Sequence, residues 1–197
     1  IKESSLWCRY LSSPKERNDQ MKIKTRKLVF LSLLIALGVV LTRFLSLRLP
    51  LFGVEGIRIG IGSLPMIFAG IVFGPMAGGI VGAITDLVGF WVSPMGAYMP
   101  HFTFTAFLTG FIPGFLMIYV FKDKRTLTYI LISIAVGQTI TSIILVPYFI
   151  HILFGVPFRP LLIPRLIGQP ITILVYSYLI KILFKNEILN IFENGER

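Results

Sequence analysis

Asp86 is the only acidic residue set within an apolar stretch of this 197-residue chain. A carboxylate surrounded by lipid-compatible side chains is costly, so it faces a bundle interior and pairs with cations or accepts hydrogen bonds there. Five arginines, Arg43, Arg48, Arg58, Arg159 and Arg165, stand at or near the ends of apolar runs. Guanidinium is a planar fork that grips carboxylates with two parallel bonds and stacks on flat rings. Arg165, Gln169, Thr172 and Tyr176 recur at i, i+4, i+7 and i+11, which is one face of a helix. Gln138, Thr141 and Ser142 form a shorter polar patch, and Trp91, Tyr98, His101 and Phe102 place rings around a segment carrying Pro94, Gly96 and Pro100. These residue types suit the holding of a flat, anionic, hydrogen-bonding molecule. Each also has a plainer reading. Arg58 can pair with Glu55 or Asp86, the amides and hydroxyls can bond between helices, and Trp and Tyr can anchor at the membrane interface.

The elements that must position these residues are membrane helices. The chain is 55% hydrophobic and 14% charged, with a mean hydropathy of +0.82. A soluble domain of this length covers itself with far more charge. The apolar runs predict an all-α bundle of six transmembrane spans, at Leu28–Thr42, Ile59–Phe73, Met76–Val92, Phe102–Phe121, Leu127–Phe149 and Leu161–Phe184. Polar connections are expected over Ser46–Gly56, Ser93–Pro100 and His151–Pro160. The second run is short: fifteen residues rise about 22 Å against a hydrocarbon core of about 30 Å. Gly74, Gly78 and Gly82 share a face of the third span, with Gly79 and Ala83 beside them. Such small residues let another helix approach closely.

Six spans put both termini on one side, and the lysines say which. Lys22, Lys24, Lys27, Lys122, Lys124, Lys181 and Lys185 all fall on the side of the termini, so both ends are expected in the cytoplasm. The opposite side carries the five arginines and no lysine. A formal charge of +10 therefore reflects topology; no basic stripe with interleaved aromatics suggests nucleic acid. Residues 1–20 are polar, lack an apolar core for a signal peptide, and precede a start-like Met21, so they read as a disordered or non-native extension to a 21–190 membrane domain. One cysteine, Cys8, and two histidines suggest no disulfide or metal centre, and no cofactor is expected. The sequence has no nucleophile elbow, zinc spacing or phosphate-binding Gly-Lys-Ser/Thr loop, so an enzyme is not expected and an ATP-driven pump cannot be this chain alone.

Three stretches, Arg58-Ile-Gly-Ile-Gly-Ser-Leu-Pro-Met66, Phe73-Gly-Pro-Met-Ala-Gly-Gly79 and Gly82-Ala-Ile-Thr-Asp-Leu-Val-Gly89, resemble the S components of energy-coupling factor (ECF) transporters. Those are small six-helix vitamin-binding subunits, and the folate-specific kind is the most similar. The resemblance runs from Thr25 to about Ile180. It implies multi-pass residence in the cell membrane, high-affinity uptake of folate or a related vitamin, and docking on a transmembrane T component that bears two ATPases. Other pterin or pyrimidine precursors are the alternative ligands, and a stand-alone secondary transporter or a membrane scaffold the alternative roles. The family docks through a small-x-x-x-small motif on its first helix, here Ser32 and Ala36. For a folate, Asp86 would accept the paired N–H groups of the pterin, Arg43, Arg58 and Arg165 would meet the glutamyl carboxylates with Gln169 in support, and Trp91, Tyr98, His101 and Phe102 would line the flat middle.

Overall fold

The computed structural model describes residues 14–43, 47–51, 54–59, 61–93, 98–122, 126–155 and 157–185. In order these form α1 (Pro14–Arg43), β1 (Leu47–Leu51), β2 (Val54–Ile59), α2 (Leu64–Phe73), α3 (Pro75–Val92), α4 (Pro100–Phe115), α5 (Leu127–Gln138), α6 (Val146–Phe154) and α7 (Phe158–Lys185). Two wide-turn π-helical stretches extend these helices, Leu116–Val120 after α4 and Thr139–Leu145 between α5 and α6. Five helical spans are long and apolar enough to cross a membrane: Thr25–Arg43, Pro75–Val92, Pro100–Val120, Leu127–Leu153 and Leu161–Phe184. With the shorter apolar α2 they make a multi-pass membrane bundle. Prolines sit in the first turns of α2, α3 and α4, where a missing N–H leaves no intrahelical bond unmade.

Several boundaries differ from the sequence reading. The connection after the first span is an antiparallel hairpin, so the described fold is helical with one two-stranded ribbon. Its register pairs Leu47 with Ile59, Arg48 with Arg58 and Leu49 with Ile57, and slips at Leu49/Pro50. The period-2 alternation Leu-Arg-Leu and Ile-Arg-Ile about Phe52-Gly53 is the signal for it. Arg58 consequently belongs to a strand, and α2 shrinks to 10 residues, about 15 Å of rise. The loop expected over His151–Pro160 is mostly helix, since α6 runs to Phe154 and α7 starts at Phe158. Backbone from Pro14 to Gln20 is helical and continuous with the first span, while the remainder of the proposed extension, 1–13, lies outside the described residues.

Gly74 makes the break between α2 and α3, at φ 99° and ψ 166°. A Cβ there would meet nothing closer than Ile118 Cδ1 at 3.6 Å, so the requirement for glycine is conformational. Elsewhere glycines serve contact. Side chains at Gly70, Gly78 or Gly110 would run into the backbone of a neighbouring helix, and one at Gly82 would strike the Ala106 carbonyl. α2, α3 and α4 thus meet backbone to backbone, the close approach that small residues permit in lipid.

The two ends of the bundle differ. At one, Lys27 Nζ reaches the Phe73 carbonyl at 3.5 Å and lies 5.5 Å from the Phe73 ring centroid. Phe30, Phe68, Phe73 and Phe184 interlock nearby, over a sealed core that includes Ile67, Ile71, Met117, Ile130, Ile134 and Ile180. At the other end, Thr42 packs on Gly62 and Arg43 reaches Ser93. The segments that close this second end carry the arginines. Lys27, Lys122 and Lys181 fall at the first.

Candidate ligand-binding site

α3 delivers Asp86, Gly89 and Ser93 to one face at i, i+3 and i+7. Arg43, the last residue of α1, lies along that face. Its Nη1 donates to the Ser93 carbonyl at 3.2 Å, and a Cβ at Gly89 would come within 2.7 Å of its Nε. The terminal carbonyls of a helix lack intrahelical donors, and a cation there also complements the dipole. α4 contributes Thr103, whose hydroxyl donates to Asp86 Oδ2 at 2.8 Å. Because that proton is committed to the carboxylate, the Tyr98 hydroxyl, 3.0 Å from Thr103 Oγ1, is the donor in the next bond. The chain Tyr98 to Thr103 to Asp86 thus orients one carboxylate oxygen and leaves the other for a further donor. Thr103 lies in the first turn of α4, so the negative charge sits beside the positive end of that helix.

The second polar group lies between α5–α6 and α7. In the wide turn Thr139–Leu145 the Val146 N–H bonds the Thr141 carbonyl, five residues back. In the same pattern the Ser142 carbonyl would wait for residue 147, which is proline and has no N–H. Arg165 supplies the missing donor, Nη1 to Ser142 O at 2.9 Å. The Ser142 hydroxyl donates to Gln138 Oε1 at 3.1 Å. Gln169 follows Arg165 by one turn.

Most other buried or half-buried hydroxyls are content within their own helices. Those of Thr109, Ser133, Thr141, Thr172 and Ser177 each bond the carbonyl four residues back, and that of Thr105 bonds the carbonyl three back. Among the described residues, Gln138 Nε2 and Gln169 Oε1 are buried and make no hydrogen bond. Thr85 Oγ1 shares that condition, but it faces the helix crossing at Gly38.

The structure therefore groups Arg43, Asp86 and Tyr98, and separately joins Arg165 and Gln169 to the α5–α6 turn. Thr103 and Gln138, which sequence reasoning did not rank as site residues, complete the two groups. His101 is exposed, and its ring lies tilted against Phe149 with centroids 5.0 Å apart. Phe102 is half-buried and lends its carbonyl to Thr105. Trp91 is 84% exposed, five residues and so about 140° around the helix from Asp86. Arg58 faces Arg48 in the hairpin register, and β2 runs beside α7, the helix that carries Arg165. Ser32 and Ala36 are exposed on α1, and the Ser32 hydroxyl bonds the Leu28 carbonyl at 2.9 Å. Among the described residues no cluster of three or more metal-ligating side chains occurs.

A helical bundle with an apolar core at one end and half-buried ionisable groups toward the other defines a multi-pass membrane protein. Comparison narrows the class. The family described as "ECF-type riboflavin transporter, S component" matches residues 22–187. A "Folate transporter FolT" of Clostridium novyi (strain NT) is 30% identical over 171 residues, 85% of this chain and 95% of that protein. Another, from Leuconostoc mesenteroides subsp. mesenteroides, is 29% identical over 116 residues, 59% of this chain and 57% of its own length. The solved "Crystal structure of FolT bound with folic acid" superposes with a TM-score of 0.65 at 28% identity, covering 79% of this chain and 89% of that one. "Structure and mechanism of the S component of a bacterial ECF transporter" shares the fold, with a TM-score of 0.55 at 22% identity over 88% of this chain and 99% of that one. The chain belongs to the S components of ECF transporters.

Proposed function

We propose that this chain captures a folate at the end of the bundle bearing Arg43, Asp86 and Arg165, and hands it to a separately energised complex. The observation that carries the reading is Asp86, an intramembrane carboxylate with one oxygen held by Thr103 and the other left to accept the side-by-side N–H groups of a pterin. Arg43 and Arg165, each anchored through a backbone carbonyl, keep a guanidinium where the glutamyl carboxylates of a folate can be met. Arg58 joins them from the hairpin, with Gln169 as the supporting amide. Tyr98, His101 and Phe102 cover the flat middle. The names of the two curated relatives and the folic-acid complex support the same ligand.

Riboflavin is the second reading, favoured by the description of the matching family. A purified sample titrated with folic acid and with riboflavin separates the two. Saturable folate binding with no riboflavin binding is expected, and the converse result overturns the folate reading.

The chain acts as a binding subunit, with no catalytic step of its own. It works with a T component and two ATPases, and Ser32 and Ala36 on the exposed face of α1 form the docking contact. Residues 21–190 are the membrane binding domain, with both termini in the cytoplasm. The gathering of Lys27, Lys122 and Lys181 at the end opposite the arginines supports that orientation.

A further inference from the structure

The geometry points to Gln138 and Gln169 as a matched pair that reads the amide linkage in the middle of the ligand, Gln138 donating to its carbonyl and Gln169 accepting from its N–H. This assignment rests on the folate reading above. Gln138 is 4% exposed, its Oε1 is held by the Ser142 hydroxyl, and its Nε2 has two protons and no acceptor. Gln169 has a buried Oε1 with no donor, one turn from Arg165. Burying an unused amide donor and an unused acceptor destabilises a fold. Most of the chain's other buried hydroxyls bond its own backbone, so this pair points to a missing partner.

The chemistry of that partner follows from what is unmet. One wall, α5, offers the Gln138 N–H groups, and the other, α7, offers the Gln169 carbonyl beside the Arg165 guanidinium. A trans secondary amide presents its C=O and its N–H in opposite directions, so it matches two walls better than it matches one. A folate carries such an amide between its benzoyl ring and its glutamate. Placed between Gln138 and Gln169, it would set the glutamyl carboxylates near Arg165, whose Nη1 is already fixed on Ser142 O.

Both amide atoms are sealed from solvent, so the ligand has to part α5 from α7 by the thickness of an amide. The wide turn Thr139–Leu145 is where that opening is least costly, because Pro147 has already removed a ladder donor there. Relief of the two unmet groups offsets part of the opening.

A ligand–protein cycle tests this. Purified wild type and Gln169→Met are titrated with folic acid and with the analogue that has an ester oxygen in place of the amide N–H. Gln169→Met alone and the ester alone should each weaken binding about tenfold. Together they should still weaken it about tenfold, since both remove the same bond. Gln138→Met should weaken both ligands about tenfold and leave the amide-to-ester ratio of wild type intact. Additive losses, near a hundredfold for the double change, would overturn the inference, as would unchanged folate affinity in both variants. Those results leave the folate reading standing, whereas a wild type that binds no folate overturns both.

Discussion

Asp86→Asn is the substitution that tests the site most directly. Thr103 occupies Oδ2, so a pterin must place its two N–H groups on the remaining carboxylate acceptors. The amide that replaces the carboxylate is nearly isosteric, so its fit beside Thr103 of α4 should survive. Its hydrogen bonding does not survive. Thr103 and Tyr98 form a donor chain ending on residue 86, which holds the amide oxygen and turns its NH2 toward the ligand. Two donors then face two donors. A hydrogen bond to a charged group contributes about 1.5–3 kcal/mol, so losing both costs about 3–6 kcal/mol. At 1.4 kcal/mol per decade this is a fall in folate affinity of about 10²–10⁴-fold. Calorimetric titration of the detergent-purified protein measures it, with thermal unfolding run alongside to show that the bundle is intact. An Asp86→Asn protein that bound folic acid within threefold of wild type would refute the assignment of Asp86 to the pterin.

Other perturbations read other parts of the structure. Pro147→Ala returns an N–H that can compete for the Ser142 carbonyl, so folate affinity should fall by up to about tenfold while the unfolding midpoint holds or rises; a fall in both measurements contradicts this account of Arg165. Gly110→Ala places a methyl group against the Gly78 backbone, and overpacking of about 1–3 kcal/mol outweighs the roughly 1 kcal/mol gained in helix propensity. Its unfolding midpoint should drop, and an unchanged or higher value means that the three helices are not in backbone contact. Ser32→Leu with Ala36→Leu enlarges an exposed face that the binding site does not use, so the purified chain should bind folate as before while uptake by cells carrying the partner subunits collapses. Normal uptake would remove α1 from the docking surface.

Composition, the multi-pass helical class and the segregation of charge were legible in the sequence because they depend on chain-local properties. Twenty apolar residues demand lipid whatever their neighbours, and a carboxylate at position 86 is anomalous before any partner is known. Part of what was missed was also local. The Leu-Arg-Leu and Ile-Arg-Ile alternation predicts the hairpin, but the apolar run from Ile59 onward, read as a span, obscured it. The fifth span was expected to end at about Phe149, whereas in the structure α6 carries the helix on to Phe154; Pro147 lies inside this continuous helical span, and Arg165 answers the carbonyl it leaves without a donor.

Tertiary structure decided the rest. Whether Gly78 is a spacer or a contact depends on Gly70 and Gly110, residues of two other helices. Trp91 and Tyr98 look equally suited to lining a site in the sequence, and only the packing leaves Trp91 exposed and joins Tyr98 through Thr103 to Asp86. Arg165 has the same composition of neighbours as any arginine near a helix start, yet its role depends on a carbonyl that a proline on another helix leaves without a donor. Helices follow from the solvent, which acts on each segment alone. Sites follow from hydrogen bonds that need partners distant in the chain, and no periodicity along one helix encodes them.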